Sequence, residues 1–271
     1  MATPAKKAKA PAQAPAKTPA KKVAAKKSAS SPRAAAKRAA PAAVPAGVPP
    51  AGQPLNTELT ITSKNYSSWS LRGWLLTQFA GLPFTEHVLP PDDPSTRAEI
   101  LLLSSSILVP CLTHKGIRVW DTLAIAEYLN EVCPEAQLLP ADAAARAHCR
   151  AVSGEMHSGF AALRASLPMN LRAHFPKFKV WSRAQADIDR ITAIWRDCLH
   201  TYGGPFLFGA QRTVADAMYA PVCTRFVTYD VKLDAVCQAY CQLMLSQPEM
   251  KAWHAAALKE PADIDELDVE F

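Results

Sequence analysis

The residues best suited to chemistry lie in one short run, Ser67-Ser68-Trp69-Ser70-Leu71-Arg72. Its three hydroxyls fall where a strand-like segment gives way to a helix-like one. A helix N-terminus carries unpaired N–H groups and the positive end of the peptide dipole, so it attracts anions. A serine there either caps the helix with its own oxygen or hydrogen-bonds something negative. Spacing alone leaves both roles open. Metal chemistry has less support. Seven cysteines (Cys111, Cys133, Cys149, Cys198, Cys223, Cys237, Cys241) are scattered along the chain, with no Cys-x-x-Cys pair. Cys237 and Cys241 could share a helix face, but two thiols alone make a poor metal site. They read as reduced, buried thiols of a cytoplasmic protein that binds no metal.

The strand ahead of the serines is Leu59-Thr60-Ile61-Thr62, where apolar and polar residues alternate. The helix behind them has Leu71, Trp74, Leu75, Leu76 and Phe79 at three- and four-residue spacing. Gly81-Leu82-Pro83 closes it. Phe84–Leu89 predicts a second strand, Pro90–Pro94 a loop and Ser95–Leu103 a short helix. Ile107–Thr113 and Ile117–Trp120 flank His114-Lys115-Gly116 and predict a β-hairpin. Asp121-Thr122 then opens a helix over Leu123–Val132, and Pro134 ends it. Residues 57–134 therefore read β-α-β-α-β-β-α, an α/β layer on a mixed sheet. Beyond Leu138 only helical patterns remain. One long helix is predicted from Asp142 to about Leu167 and another from Arg183 to Tyr202, stopped by Gly203-Gly204-Pro205. Thr213 with Asp216 three residues later forms a capping-box start. Two shorter helices follow, near Leu233–Leu245 and Gln247–Leu258.

Charge divides the chain. Residues 1–54 hold 11 basic side chains and no acidic one, leaving 19 basic against 24 acidic elsewhere. This Ala/Lys/Pro-rich tail has no large apolar side chain with which to build a core and reads as disordered. It resembles the tails of linker histones, which implies non-specific contact with nucleic acid through phosphate neutralisation. Residues 261–271 form an acidic end. No apolar run is long enough to span a membrane, and the start lacks the apolar core of a secretory signal. The expected organisation is a tail over 1–54, an α/β domain over 55–135, an all-helical domain over 141–260 and the acidic end.

Four motifs in order carry a family resemblance. Ser67-Ser68-Trp69-Ser70-Leu71-Arg72 resembles the Ser-Ser-x-Ser-x-Arg turn of serine-type cytosolic glutathione transferases, the zeta class above all. Val109-Pro110-Cys111-Leu112 resembles their Val-Pro-x-Leu, whose proline is cis. Asp121-Thr122-Leu123-Ala124-Ile125, with Tyr128-Leu129, resembles Glu/Gln-Ser-x-Ala-Ile…Tyr-Leu. Thr213-Val214-Ala215-Asp216 resembles the capping box of their second domain. The resemblance covers about Thr57 to Lys259 and implies a thioredoxin-like domain followed by an all-helical one.

The resemblance also implies roles. Ser67 would keep the thiol of glutathione ionised, with Ser68 and then Tyr66 as alternatives. The backbone of Val109 beside Pro110 would pair with the cysteine of the tripeptide. Thr122 would take the γ-glutamyl carboxylate and Asp121 the γ-glutamyl ammonium. Arg72 would act structurally or electrostatically. Met156, His157, Phe160 and Arg164 would line the pocket for a small hydrophobic electrophile between the domains. The implied activity is glutathione transfer, with isomerase or peroxidase variants, in a homodimer. The zeta class isomerises a maleyl compound, but Trp69 stands where that class has cysteine. A second reading is a non-catalytic binding protein of this fold, tethered to nucleic acid by its tail.

Overall fold

The structure, a computed structural model, describes residues 56–90, 94, 96 and 109–260. The basic tail, most of the helix expected between Ser95 and Leu103, and the acidic end lie outside the described residues.

Strand β1 (Thr57–Ile61) is central in a four-stranded sheet. It pairs in parallel with β2 (Thr85–Val88) and antiparallel with β3 (Cys111–His114), which forms a hairpin with β4 (Ile117–Val119). The order β2-β1-β3-β4, with β1 and β2 parallel and the rest antiparallel, is the mixed sheet expected of a thioredoxin-like domain. Leu59 and Ile61 of β1 and Leu112 of β3 are buried, joined by Leu71, Leu75 and Leu76 of α1 (Ser68–Phe79) and Ile125 and Leu129 of α2 (Thr122–Val132). Burying these aliphatic side chains stabilises the layer by about 1.5–3 kcal/mol each.

Helix α1 begins three residues earlier than Leu71, the first apolar residue of its face. Hydrophobic periodicity marks only the residues that must be buried, and the Ser-rich first turn carries none of it. The same helix explains Gly73. A Cβ there would stand 2.5 Å from Pro110 Cβ and 2.6 Å from its Cγ. The Val109–Pro110 peptide is cis, as the motif implied, and its ring presses directly on the helix carrying Ser67. Gly73→Ala gains about 1 kcal/mol of helix propensity but forces a rigid ring away. We expect a net loss of about 1–3 kcal/mol in urea-unfolding free energy. An equally stable variant would show that Pro110 can give way.

The helical half comprises α3 (Ala143–Ser158), α4 (Ala161–Ser166), α5 (Ser182–Tyr202), α6 (Val214–Thr228), α7 (Ala235–Ser246) and α8 (Pro248–Ala257). The single helix expected from Asp142 to Leu167 is therefore two. Gly159 is extended, Phe160 takes a left-handed φ of 60°, and a Cβ on Gly159 would lie 2.7 Å from Glu155 O. Arg164 folds back to donate to the freed carbonyls of Met156 and His157. A cation closing a helix C-terminus suits the local dipole.

Helix α6 is buried almost all round, as expected of a helix at the centre of a bundle. Trp195 of α5 packs against its Tyr219 and Phe226 and against Tyr240 of α7. The capping box forms as its motif predicts: Asp216 accepts from Thr213 N at 2.8 Å and Thr213 Oγ1 at 3.0 Å. The same carboxylate also accepts from Leu207 N and from Tyr240 OH, each at 3.1 Å. Burial pushes its pKa up, against four hydrogen bonds that pull it down.

Candidate functional site

Strand β1 delivers the chain into the turn Thr62–Ser67, and the side chains of Glu260, Trp253 and Asn65 hold that turn. The Glu260 carboxylate, beyond the end of α8, accepts from Ser63 Oγ at 2.6 Å and from the amides of Lys64 and Asn65. Trp253 Nε1 donates to Lys64 O at 2.8 Å. Asn65 Oδ1 accepts from Leu171 N at 2.8 Å and Arg172 N at 3.1 Å. The turn is thus fastened to the helical half before the serines begin.

The three serines then do three different things. Ser67 is the N-cap of α1: it is 3% exposed and accepts from Ser70 N at 3.3 Å. Ser70 Oγ accepts from Thr62 N at 3.0 Å and so ties the helix to the end of β1. Ser68 Oγ accepts from two guanidinium groups, Arg225 Nη2 at 3.2 Å and Arg72 Nη1 at 3.4 Å. Tyr66, 5% exposed, packs immediately before them.

The positive charge behind these hydroxyls is concentrated. Arg72 is 1% exposed and donates to Met218 O of α6 at 2.8 Å. Arg225 is 4% exposed and donates to Leu167 O at 2.9 Å. Among the described residues no carboxylate lies within ion-pair distance of Arg72, Arg225 or Arg164. Burial first, then Arg225 and Arg164, lowers the Arg72 pKa well below its usual range. Burial and Arg164 lower that of Arg225 to about 10, so it stays cationic at neutral pH. Trp69 lies against two of these cations, with Arg72 4.7 Å and Arg164 4.9 Å from its ring centre.

At the other side of the site, Asp121 caps α2 by accepting from Leu123 N at 3.0 Å and Ala124 N at 3.4 Å. His157, from the end of α3, reaches this cap. Its Nε2 is 3.2 Å from Asp121 Oδ2 and its Nδ1 3.4 Å from Thr122 Oγ1, while its ring meets Trp69 edge-on at 5.1 Å. Thr122 is fully buried. Of the four residues expected to line an electrophile pocket, His157 and Arg164 gather around Trp69. Met156 and Phe160 are buried members of the hydrophobic core. Sequence reasoning passed over Arg225, Glu260 and the contact of His157 with Asp121 and Thr122. Arg225 left one trace, a basic residue in a helix whose neighbours are mostly apolar. No group of three or more His, Cys, Asp or Glu side chains able to hold a metal occurs among the described residues.

The fold matches solved structures at low identity. Maleylacetoacetate isomerase from Anaeromyxobacter dehalogenans 2CP-1 aligns with a TM-score of 0.56 at 21% identity, over 79% of this chain and 97% of that one. A glutathione transferase homologue from Burkholderia gl BGR1, solved with bound glutathione, aligns with a TM-score of 0.55 at 21% identity, over 75% and 98%. By sequence, a probable maleylacetoacetate isomerase of Caenorhabditis elegans is 28% identical over 127 residues, 46% of this chain. The match spans 59% of that relative's length. The model for the glutathione S-transferase N-terminal domain matches residues 66–132, and that for the C-terminal domain matches residues 143–256. The first takes in the Ser67–Arg72 run and the second the capped α6, in consecutive order over more than half of the sequence: the chain belongs to the glutathione S-transferase family.

Proposed function

We propose that the protein is a glutathione-dependent enzyme that holds the tripeptide's sulfur as a thiolate at Ser67 and directs it at a small electrophile. The observation that carries this reading is a buried hydroxyl at the mouth of α1, backed by positive charge, in a chain of this family. A free thiol has a pKa near ~8.5 and is only slightly ionised at neutral pH. A hydroxyl donor, the helix dipole and nearby guanidinium groups all favour its anion. The backbone of Val109, beside the cis Pro110, would pair with the cysteine portion. Thr122 would hold the γ-glutamyl carboxylate at the N-terminus of α2, and Asp121 its ammonium. Trp69, His157 and Arg164 would face the electrophile. The working unit in this reading is a homodimer.

The likeness to maleylacetoacetate isomerases favours a second outcome at the same site. The thiolate adds to an activated double bond, the resulting single bond rotates, and elimination returns the sulfur unchanged.

Calorimetric titration with glutathione tests the reading, followed by assays with an aryl halide and a maleyl compound. Thr122→Val removes a hydrogen bond to a charged group, worth about 1.5–3 kcal/mol, and should weaken glutathione binding by about 10- to 100-fold. Absence of any heat of glutathione uptake by the wild type would end the glutathione reading. Unchanged affinity in the variant would remove Thr122 from the site.

A further inference from the structure

Around Ser68, Arg72 Nη1 is shared between the serine's carbonyl and its hydroxyl, each at 3.4 Å, and Arg225 adds a second cation. Two guanidinium groups, one from each half of the molecule, converge on a single hydroxyl oxygen. A serine oxygen has two acceptor lone pairs and one proton to donate. With both lone pairs engaged by cations, its proton can only be directed away from them. The O–H is then a stronger donor, because two positive charges withdraw electron density from its oxygen. Buried charge without a counter-ion is costly, and backbone carbonyls offset only part of it here, so an anion beside this cluster is favoured. The groups facing this cluster are Arg72 of α1, Arg164 of α4, Asp187 of α5, Tyr219 of α6 and Tyr229 just beyond it. Asp187 accepts from Leu163 N at 2.8 Å and acts on Arg164 only from a distance.

We propose that Arg225, reaching across from α6, is a positioning residue that acts through Ser68. Together with Arg72 it fixes the Ser68 hydroxyl as a second donor, beside Ser67, to the sulfur of bound glutathione. The inference rests on the glutathione reading above and adds to it a residue of the helical half. Ionisation of the sulfur then depends on both halves being docked, because the Arg225 guanidinium is held by Leu167 O and Pro221 O and reaches Ser68 from there.

The experiment uses the full chain and follows thiolate absorbance of bound glutathione against pH in wild type, Arg225→Gln, Ser68→Ala and the double variant. Affinity for S-methylglutathione, which has no ionisable thiol, is measured in parallel. In Arg225→Gln the bound thiol should titrate about one pH unit higher, a ~tenfold lower ratio of thiolate to thiol at any given pH, with S-methylglutathione affinity within about twofold of wild type. Ser68→Ala should show a similar shift, and the double variant no more than the larger single shift, because the two residues act as one unit. Arg225→Lys, which keeps a cation, should restore part of the shift. A thiol that titrates as in wild type in Arg225→Gln, or additive shifts in the double variant, would overturn the proposal. If Arg225→Gln fails to fold, Ser68→Ala decides: an unshifted thiol there is equally fatal. A wild-type protein that takes up no S-methylglutathione would sink the glutathione reading itself. A wild type that binds it while the variants leave the thiol unshifted would sink only the role of Arg225.

Discussion

Alanine at Ser67 should slow glutathione conjugation about 10- to 100-fold near neutral pH, the span set by one charge-assisted hydrogen bond of about 1.5–3 kcal/mol. The same substitution deletes the N-cap of α1, so unfolding should also become easier by about 1 kcal/mol. The two losses separate experimentally. Capping is read from urea unfolding and does not depend on substrate. The catalytic loss depends on pH in a defined direction. A site that favours thiolate lowers the bound thiol's pKa below ~8.5, so the wild type reaches its full rate at lower pH. The variant needs a higher pH to form the same thiolate, and its deficit should shrink as pH rises past about 8.5. Rates equal to wild type across that range would leave Ser67 as a cap alone and pass the role to Ser68.

The second large effect concerns the fold. Asp216→Ala should cost about 3–5 kcal/mol, a large share of the 5–15 kcal/mol by which a typical protein is stable. The carboxylate is wholly buried and accepts from Leu207 N, Thr213 N, Thr213 Oγ1 and Tyr240 OH. Removing it leaves these donors in a dry interior with nothing to accept them. Asp216→Asn keeps one acceptor oxygen but turns an NH2 toward the remaining donors, and should cost about 1–3 kcal/mol. Denaturant midpoints of the two variants check the order. An alanine variant as stable as the asparagine one would mean that water reaches these donors. Because α6 also carries Arg225 and packs on α1, loosening its start should weaken the serine turn as well.

Much of this architecture can be read from local chemistry. Alternation marks β1, the Thr213/Asp216 pair marks the start of α6, and Asp121-Thr122 marks that of α2, because each signal depends on residues within one turn of each other. The break at Gly159–Phe160 escaped that reading because the apolar spacing runs on past it. It rests on the two backbone conformations there and on Arg164 reaching back to the freed carbonyls. Gly73 likewise carries no local sign of its purpose, which is to admit a proline 37 positions away.

The sequence by itself determined that an α/β half precedes a helical one, the starts of α1, α2 and α6 and the serine turn, since these depend on near neighbours and on hydrophobic period. Only the tertiary structure decided what each serine faces. Ser67, Ser68 and Ser70 are chemically identical and nearly adjacent. Their partners, an amide of the first turn, two guanidinium groups and the end of β1, are distinguished by packing. One of those guanidinium groups comes from 157 residues away, and a charge buried at that separation leaves no periodic mark in the chain, because its place is set by how α6 lies against α1.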